Sequence, residues 1–171
     1  KYSDELDLVS VVIPSYQRWH YLEEVVESIH LNADMAFEIV IHDDGSSDGT
    51  CENILFRLKD KVSTVVLNNG LQLGLAESIN RAVRVSGSKY IIMLNADCRL
   101  ERPIFKDVVN VLKCPFVGNI SLMSVGGGCG DEGKSDVEGK SVNASCLTNE
   151  GTNFQILRGL GAGCAQAFNK D

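Results

Sequence analysis

Between residues 8 and 112, short runs of β-branched residues alternate with helix-patterned stretches, and no other feature restricts the fold so strongly. Residues 8–13 read LVSVVI and stop at Pro14. The run is apolar toward both faces, as a strand buried inside a parallel sheet should be. A helical pattern follows, with Leu22, Val25, Val26 and Ile29 on one face and Glu23, Glu24 and Glu27 off it. Residues 37–41 form a second strand pattern. It is closed by the turn-rich tract from Asp43 and Asp44 through Gly45, Ser46, Ser47, Asp48 and Gly49, in which Ser47 or Asp48 can cap the next helix. That helix takes its apolar face from Ile54, Leu55 and Leu58. Residues 62–67 predict a third strand, and Leu75, Ile79, Ala82 and Val83 a third helix. Residues 90–94 predict a fourth strand ending at Asn95-Ala96-Asp97. Arg102-Pro103 is expected to open a fourth helix, with Phe105, Val108, Val109 and Leu112 inward, and residues 120–125 read as a fifth strand.

Strands and helices in alternation, joined by short connections, predict an α/β fold: a mostly parallel sheet with helices on both faces and right-handed crossovers. A chain of 171 residues suits one such domain. Sheets of this kind take ligands at the carboxyl ends of their strands. The polar residues lie just past those ends: Ser15-Tyr16, Asp43-Asp44, Asn69-Gly70 and Asn95-Ala96-Asp97. The pattern breaks over residues 126–153, a stretch rich in Gly, Ser, Asn and charge. Its length predicts a flexible, functional loop over the ligand site. Residues 154–157 and 161–168 resume an extended pattern.

Formal net charge is −7, and no basic patch offsets it, which excludes a nucleic-acid partner. No apolar run approaches the roughly 20 residues of a bilayer span, and residues 1–5 do not read as a signal peptide. The six cysteines, Cys51, Cys98, Cys114, Cys129, Cys146 and Cys164, are scattered and form no Cys-x-x-Cys pair. Six thiols in a cytoplasmic protein are the expectation, and the two Asn-x-Ser sequons at Asn119 and Asn143 are read as chance matches.

Each polar tract has an ordinary reading beside a functional one. A carboxylate past a buried strand, such as Asp97, can hold Mg2+ or Mn2+, which take oxygen ligands, but an isolated strand-end aspartate is more often a turn or cap residue. Asp44 can accept a hydrogen bond from a base or ribose, or serve the turn alone. The tract around it is not a calcium loop, because the later bidentate Glu is missing. Gly70 and Gly74 can bring backbone N–H groups near phosphate at a helix start. No G-x-G-x-x-G fingerprint and no P-loop is present. His20, His30 and His42 lack ligand spacing, with His42 expected to pack at a strand end, and Trp19 suits a core or lid position.

Taken together and in order, these tracts resemble glycosyltransferase family 2, the inverting enzymes of GT-A fold. Residues 8–18 (LVSVVIPSYQR) resemble the family's opening strand and its Pro-Ser/Thr-Tyr-Asn turn, with Gln17 in place of the usual Asn. Residues 38–50 (EIVIHDDGSSDGT) resemble its acidic Asp-Asp-Gly-Ser-x-Asp segment. Asn69-Gly70, and Gly74 through Ala76 to Asn80, resemble its Asn-x-Gly and Ala-x-Asn stretch, while residues 90–97 resemble the strand ending in D-x-D. The likeness covers residues 8–112, with an echo at 154–168, and it implies that residues 154–171 begin an acceptor-side region.

The resemblance implies a nucleotide-sugar site built from Pro14, Ser15, Tyr16, Asp43, Asp44, Asn69, Gly70, Gly74, Asn80, Asn95, Ala96 and Asp97. Within it, Asp44 would contact the base with Asp43 behind it, and Asp97 would bind Mn2+ or Mg2+. It implies transfer of a sugar from a nucleoside diphosphate, UDP being the family's commonest, to a hydroxyl of a glycan, lipid or protein acceptor. The first acid of D-x-D is Asn95 here, so metal binding is expected to be reduced rather than lost. The family's catalytic base belongs to a later Glu-Asp segment, expected beyond Asp171; Asp131, Glu132, Asp136, Glu138 and Glu150 match no family motif. Two alternatives stand beside this reading. A nucleotidyltransferase on a related sheet would need a Gly-rich basic loop after the first strand, which Ser15-Tyr16-Gln17-Arg18 is not. A non-catalytic nucleotide- or sugar-binding module would lack the Glu-Asp segment.

Overall fold

The computed structural model describes residues 7–68, 72–122 and 165–170. Its strands are β1 (Val9–Ser15), β2 (Phe37–Asp43), β3 (Thr64–Leu67), β4 (Tyr90–Leu94), β5 (Asn119–Ser121) and β6 (Ala165–Asn169). Its helices are α1 (Trp19–Asn32), α2 (Thr50–Arg57), α3 (Leu75–Val85) and α4 (Phe105–Leu112). The sheet order is β3-β2-β1-β4-β6-β5. β3, β2, β1 and β4 are parallel neighbours, whereas β6 runs antiparallel between β4 and β5. The order of the first four strands is that of a doubly wound sheet, with the chain returning across β1 to reach β4.

Strand alternation sorts the side chains. Val9, Val11 and Ile13 of β1, Ile39 and Ile41 of β2, and Ile92 and Leu94 of β4 point to one face. They form the main core there with Leu22, Val25, Val26 and Ile29 of α1, Ile54 of α2, and Phe105, Val108, Val109 and Leu112 of α4. Val12, Val40 and Ile91 point the other way, against Ala82 of α3, with Phe168 of β6 beside them. Both faces carry a helix, as the alternation predicts, but the coverage is unequal.

Two expectations about element ends are corrected. Pro103 does not open the fourth helix from inside: α4 starts at Phe105, because Ile104 takes a non-helical conformation (φ −140°) and ends the approach. The fifth strand covers Asn119–Ser121 rather than starting at Ile120, and residues 123–125 lie outside the described residues. The expected loop at 126–153 and the segment 154–164 also lie outside them. The extended pattern toward residue 168 is present as β6.

The amino-terminal edge of the sheet is tied by side chains. Ser10, fully buried in β1, donates its hydroxyl to Glu38 Oε1 of β2, which also accepts the Gly87 N–H at 2.6 Å. Ser10 Oγ in turn accepts the Ser88 N–H at 3.1 Å. Ser88 Oγ donates to the Leu8 carbonyl and accepts the Tyr90 N–H at 2.9 Å. This chain of bonds links the starts of β1, β2 and β4 and satisfies polar groups that burial would otherwise leave costly. Among the described residues, no helix is long and apolar enough to cross a membrane.

Candidate functional site

Because β1, β2, β3 and β4 are parallel, their carboxyl ends meet at one edge. Ser15 ends β1 opposite Asp43, which ends β2. The Asp44 N–H donates to the Ser15 carbonyl at 2.9 Å, and the Asn68 N–H to the Asp43 carbonyl at 2.9 Å. Asn95, Ala96 and Asp97 follow β4 at the same edge, with Ala96 buried and Asp97 exposed. Pro14 and Ser15 are buried, and Tyr16 stands 38% exposed beside them. Asn69 and Gly70 lie outside the described residues, and Asn80 is exposed on the second turn of α3.

The two acids after β2 do different work. Asp43 closes its own turn, accepting the Ser46 N–H at 3.0 Å and the Ser46 hydroxyl at 2.5 Å. Asp44, only 3% exposed, reaches across to the residues leading into α3. Its Oδ1 accepts the Leu73 N–H at 2.9 Å and the Asn68 side-chain amide at 3.2 Å, and its Oδ2 accepts the Gly74 N–H at 2.8 Å. Burial pushes the Asp44 carboxyl up, but the Leu73 and Gly74 N–H groups, the Asn68 amide and nearby His42 outweigh it, and the net shift is downward. Asp44 is therefore a carboxylate that holds a loop as well as one that faces the edge. Gly74 permits this approach, since its φ of +88° is a conformation that side-chain-bearing residues rarely adopt.

Two further contacts join residues about 30 positions apart and carry no local sequence signal. Gln17 takes φ +51°, in the left-handed region, and its N–H donates to Ser46 Oγ at 2.8 Å while its side-chain amide donates to Ser47 Oγ at 3.1 Å. The β1–α1 turn is thereby stitched to the β2–α2 turn. Asp48 accepts both the N–H and the hydroxyl of Thr50, at 3.1 and 2.5 Å, but the N-cap of α2 is Gly49, so neither Ser47 nor Asp48 takes the capping position expected of it. Trp19 packs against the core with the Arg57 guanidinium 5.1 Å from its ring, so it takes the core position of its two options.

Two buried polar groups at this edge lack hydrogen-bond partners among the described residues: Ser15 Oγ, and both ring nitrogens of His42. Such groups are uncommon in native proteins and mark places where something further is bound or where charge is managed. Burial lowers the His42 pKa; Asp44 and Asp43 pull it up and Arg81 pushes it down, with a net shift downward.

Asp97 lines a shallow cavity of about 230 Å3 with Tyr21, Glu24 and Val25 of α1 and Arg99, the last ion-paired to Glu24 at 3.3 Å. The cavity lies against α1 and includes none of Ser15, Asp43 or Asp44. Among the described residues, no three His, Cys, Asp or Glu side chains cluster as a ready-made metal cage. Asp97 therefore offers one exposed carboxylate. Cys51 is half-buried, and burial, with Asp43 and Glu52 nearby, pushes its thiol pKa up, which makes it a poor nucleophile. Of the expected thiols, Cys129, Cys146 and Cys164 lie outside the described residues.

Comparison with known proteins bears directly on this edge. The model of the family described as Glycosyl transferase family 2 matches residues 10–135. Glycosyltransferase GlyG of Streptococcus pneumoniae serotype 4 is 34% identical over 92 residues, which is 53% of this chain and 30% of GlyG. Among solved structures, S. aureus TarS 1–349 superposes with a TM-score of 0.67 at 18% identity, covering 95% of this chain and 47% of that one. The same TarS fragment has been solved in complex with UDP and with UDP-GlcNAc. The mannosyltransferase PcManGT from Pyrobaculum calidifontis, in complex with GDP-Man and Mn2+, superposes with a TM-score of 0.56 at 24% identity over 65% of this chain and 34% of its own. The chain thus spans less than half the length of each of these relatives.

Proposed function

The chain belongs to glycosyl transferase family 2, and from that premise we propose that its carboxyl edge holds the nucleoside-diphosphate-sugar donor of an inverting sugar transfer to an acceptor hydroxyl. The observation that carries the reading is convergence. Tracts separated by dozens of residues, Ser15-Tyr16, Asp43-Asp44 and Asn95-Ala96-Asp97, end at one edge of one parallel sheet. That edge is where open α/β sheets take nucleotides.

In this reading Pro14, Ser15 and Tyr16 line the nucleoside pocket. Ser15 Oγ, buried and unpartnered among the described residues, is a polar group that a ligand can satisfy. Asp44 sits at the base with one lone pair of Oδ2 beyond the Gly74 bond, and Asp43 keeps the turn behind it in shape. Asn69 and Gly70 belong to the same proposed donor site, and Gly74, whose N–H is given to Asp44, holds the start of α3 beside it. UDP is the donor nucleotide proposed, supported by the TarS complexes with UDP and UDP-GlcNAc.

Asp97, with Asn95 two residues before it, would hold a divalent Mn2+ or Mg2+; a PcManGT complex carries Mn2+. The donor set fits a hard cation that takes oxygen ligands, provided the diphosphate supplies the rest. Bound there, the ion supplies Lewis-acid stabilisation of charge on the departing diphosphate. No residue of this chain is assigned the role of base toward the acceptor, a hydroxyl of a glycan, lipid or protein. A cytoplasmic location belongs to the same proposal.

Calorimetry of the chain against UDP, GDP, CDP and dTDP, each with and without Mn2+, tests the reading. UDP with Mn2+ should bind tightest. If none of the four binds under either condition, the donor-site assignment falls.

A further inference from the structure

We propose that His42 is a proton-controlled positioning residue for Asp44: when neutral it leaves Asp44 bonded to the backbone of Leu73 and Gly74, and when charged it takes Asp44 as its counter-ion and loosens the entry to α3. The imidazole is 0% exposed on β2, and neither nitrogen has a partner among the described residues. His42 shares the face of Val40, on which α3 packs, and Asp44, one residue past the end of β2, turns its carboxylate to the backbone at the start of that same helix. Pro14 of β1 and Val66 of β3 are its register partners, and neither titrates. α3 packs over this face and brings Arg81, which is engaged with Glu77 at 2.9 Å, and Glu77 also meets Arg84 at 3.7 Å. Asp43 belongs to the opposite face and is held by Ser46.

The balance among these groups gives the switch its direction. A neutral ring needs no counter-ion, and burial with Arg81 nearby keeps it neutral around pH 7. Protonation makes both nitrogens donors. The nearby charged acceptor toward α3 is then Asp44, whose oxygens are already shared among Leu73, Gly74 and Asn68. An imidazolium competes with neutral N–H donors for that carboxylate and wins on charge. The consequence for nucleotide affinity rests on the donor reading above; the link between His42 and the α3 entry does not.

NMR of the 171-residue chain tests the link without ligand. The His42 ring carbon and the amides of Leu73 and Gly74 are followed from about pH 8 to about pH 5. Both amides should shift with the midpoint of the His42 ring. Their exchange protection, corrected for the intrinsic pH dependence of exchange, should fall about tenfold across it. In His42→Gln, and in His42→Phe as a second variant, that midpoint should vanish while protection at the alkaline end persists. Amides that ignore the His42 titration in the unmutated chain overturn the proposal even if neither variant folds, and so does an unchanged amide midpoint in either variant. UDP calorimetry over the same pH range separates the two readings: absence of binding at every pH removes the donor site, while the amide titration still decides on His42.

Discussion

The two edges of one sheet handle their polar groups in opposite ways. At the amino edge Ser10, Glu38, Ser88 and the Gly87 N–H form a closed chain of hydrogen bonds across three strands. At the carboxyl edge Asp44 is anchored by the Leu73 and Gly74 N–H groups, yet Ser15 Oγ and the His42 ring lie buried without partners among the described residues. The same strands run through both edges, so chain direction is what distinguishes them. A parallel sheet places every strand-to-helix turn at its carboxyl edge, and there the backbone leaves the ladder with groups to spare. The closed edge stabilises, while the open edge holds unspent bonding capacity that a ligand can use.

The comparison can be broken most directly at Asp44. Asp44→Ala removes three bonds to one charged acceptor and leaves the Leu73 and Gly74 N–H groups to find water. Urea denaturation should show a loss of about 3 kcal/mol, at the upper end for charge-assisted bonds, and nucleoside diphosphate affinity should fall with it. Stability within about 0.5 kcal/mol of the parent would mean that the bonds to α3 are not holding the edge. Glu38→Ala makes the matching test at the other edge. It should cost about 2 kcal/mol by stranding Ser10 and the Gly87 N–H, while leaving nucleotide affinity unchanged. A weakened nucleotide in Glu38→Ala would show that the edges are coupled after all.

Acid should loosen the carboxyl edge in two steps. His42 has a folded pKa below its ordinary value of about 6.5. Unfolding therefore takes up a proton, so its contribution is fully present above that value and is lost as pH falls below it. Asp44 is also lowered, and its contribution is present above the ordinary carboxylate value and lost only as pH falls toward its folded value. Thermal unfolding against pH should show two separate declines, the first missing in His42→Gln. A single decline in the carboxylate range would remove His42 from the account.

Smaller effects sharpen the picture. Asp97→Ala should leave stability within about 0.5 kcal/mol, because the side chain is exposed. It should abolish most of the mutual tightening between Mn2+ and diphosphate, a coupling of about 1–3 kcal/mol that must be equal in both directions. Equal UDP affinity with Mn2+ and with EDTA in the unmutated chain would reduce Asn95-Ala96-Asp97 to an ordinary turn. The least change is expected from Gln17→Asn. The left-handed backbone at residue 17 costs an ordinary side chain about 1–2 kcal/mol, and Asn visits that region more readily. Chemical denaturation should show a gain of a fraction of that, and a loss would mean that the Gln17 amide bond to Ser47 outweighs the strain.

Much of this arrangement was legible before any coordinates. The first four strands, the helices and the strand-end tracts follow from local periodicity and turn chemistry, which the sequence carries within windows of ten or so residues. The rest depends on meetings between distant residues. Nothing near Asp44 announces that Leu73 and Gly74 will donate to it, and nothing near Glu38 announces Gly87. Gln17 reads as a conservative departure from Asn until its φ shows why Asn is the usual choice. The place of β6 was equally hidden, since a five-residue strand carries no mark of which neighbour it will choose.

That placement has a consequence for how the sheet is made during synthesis. β3, β2, β1 and β4 can pair as soon as they emerge, but among the described residues β5 pairs only with β6, which appears later in the chain. Between the end of β4 and the start of β6 lie about 70 residues, so a ribosome working at about 5–20 residues per second leaves the open flank of β4 waiting for about 4–14 s. For that interval Tyr90–Leu94, paired with β1 on one side, presents to β6's place an apolar flank with ladder groups still to be matched, the kind of surface on which nascent chains aggregate or chaperones settle. Among the described residues β6 is thus the keystone that joins β4 to β5, and it is delivered after both.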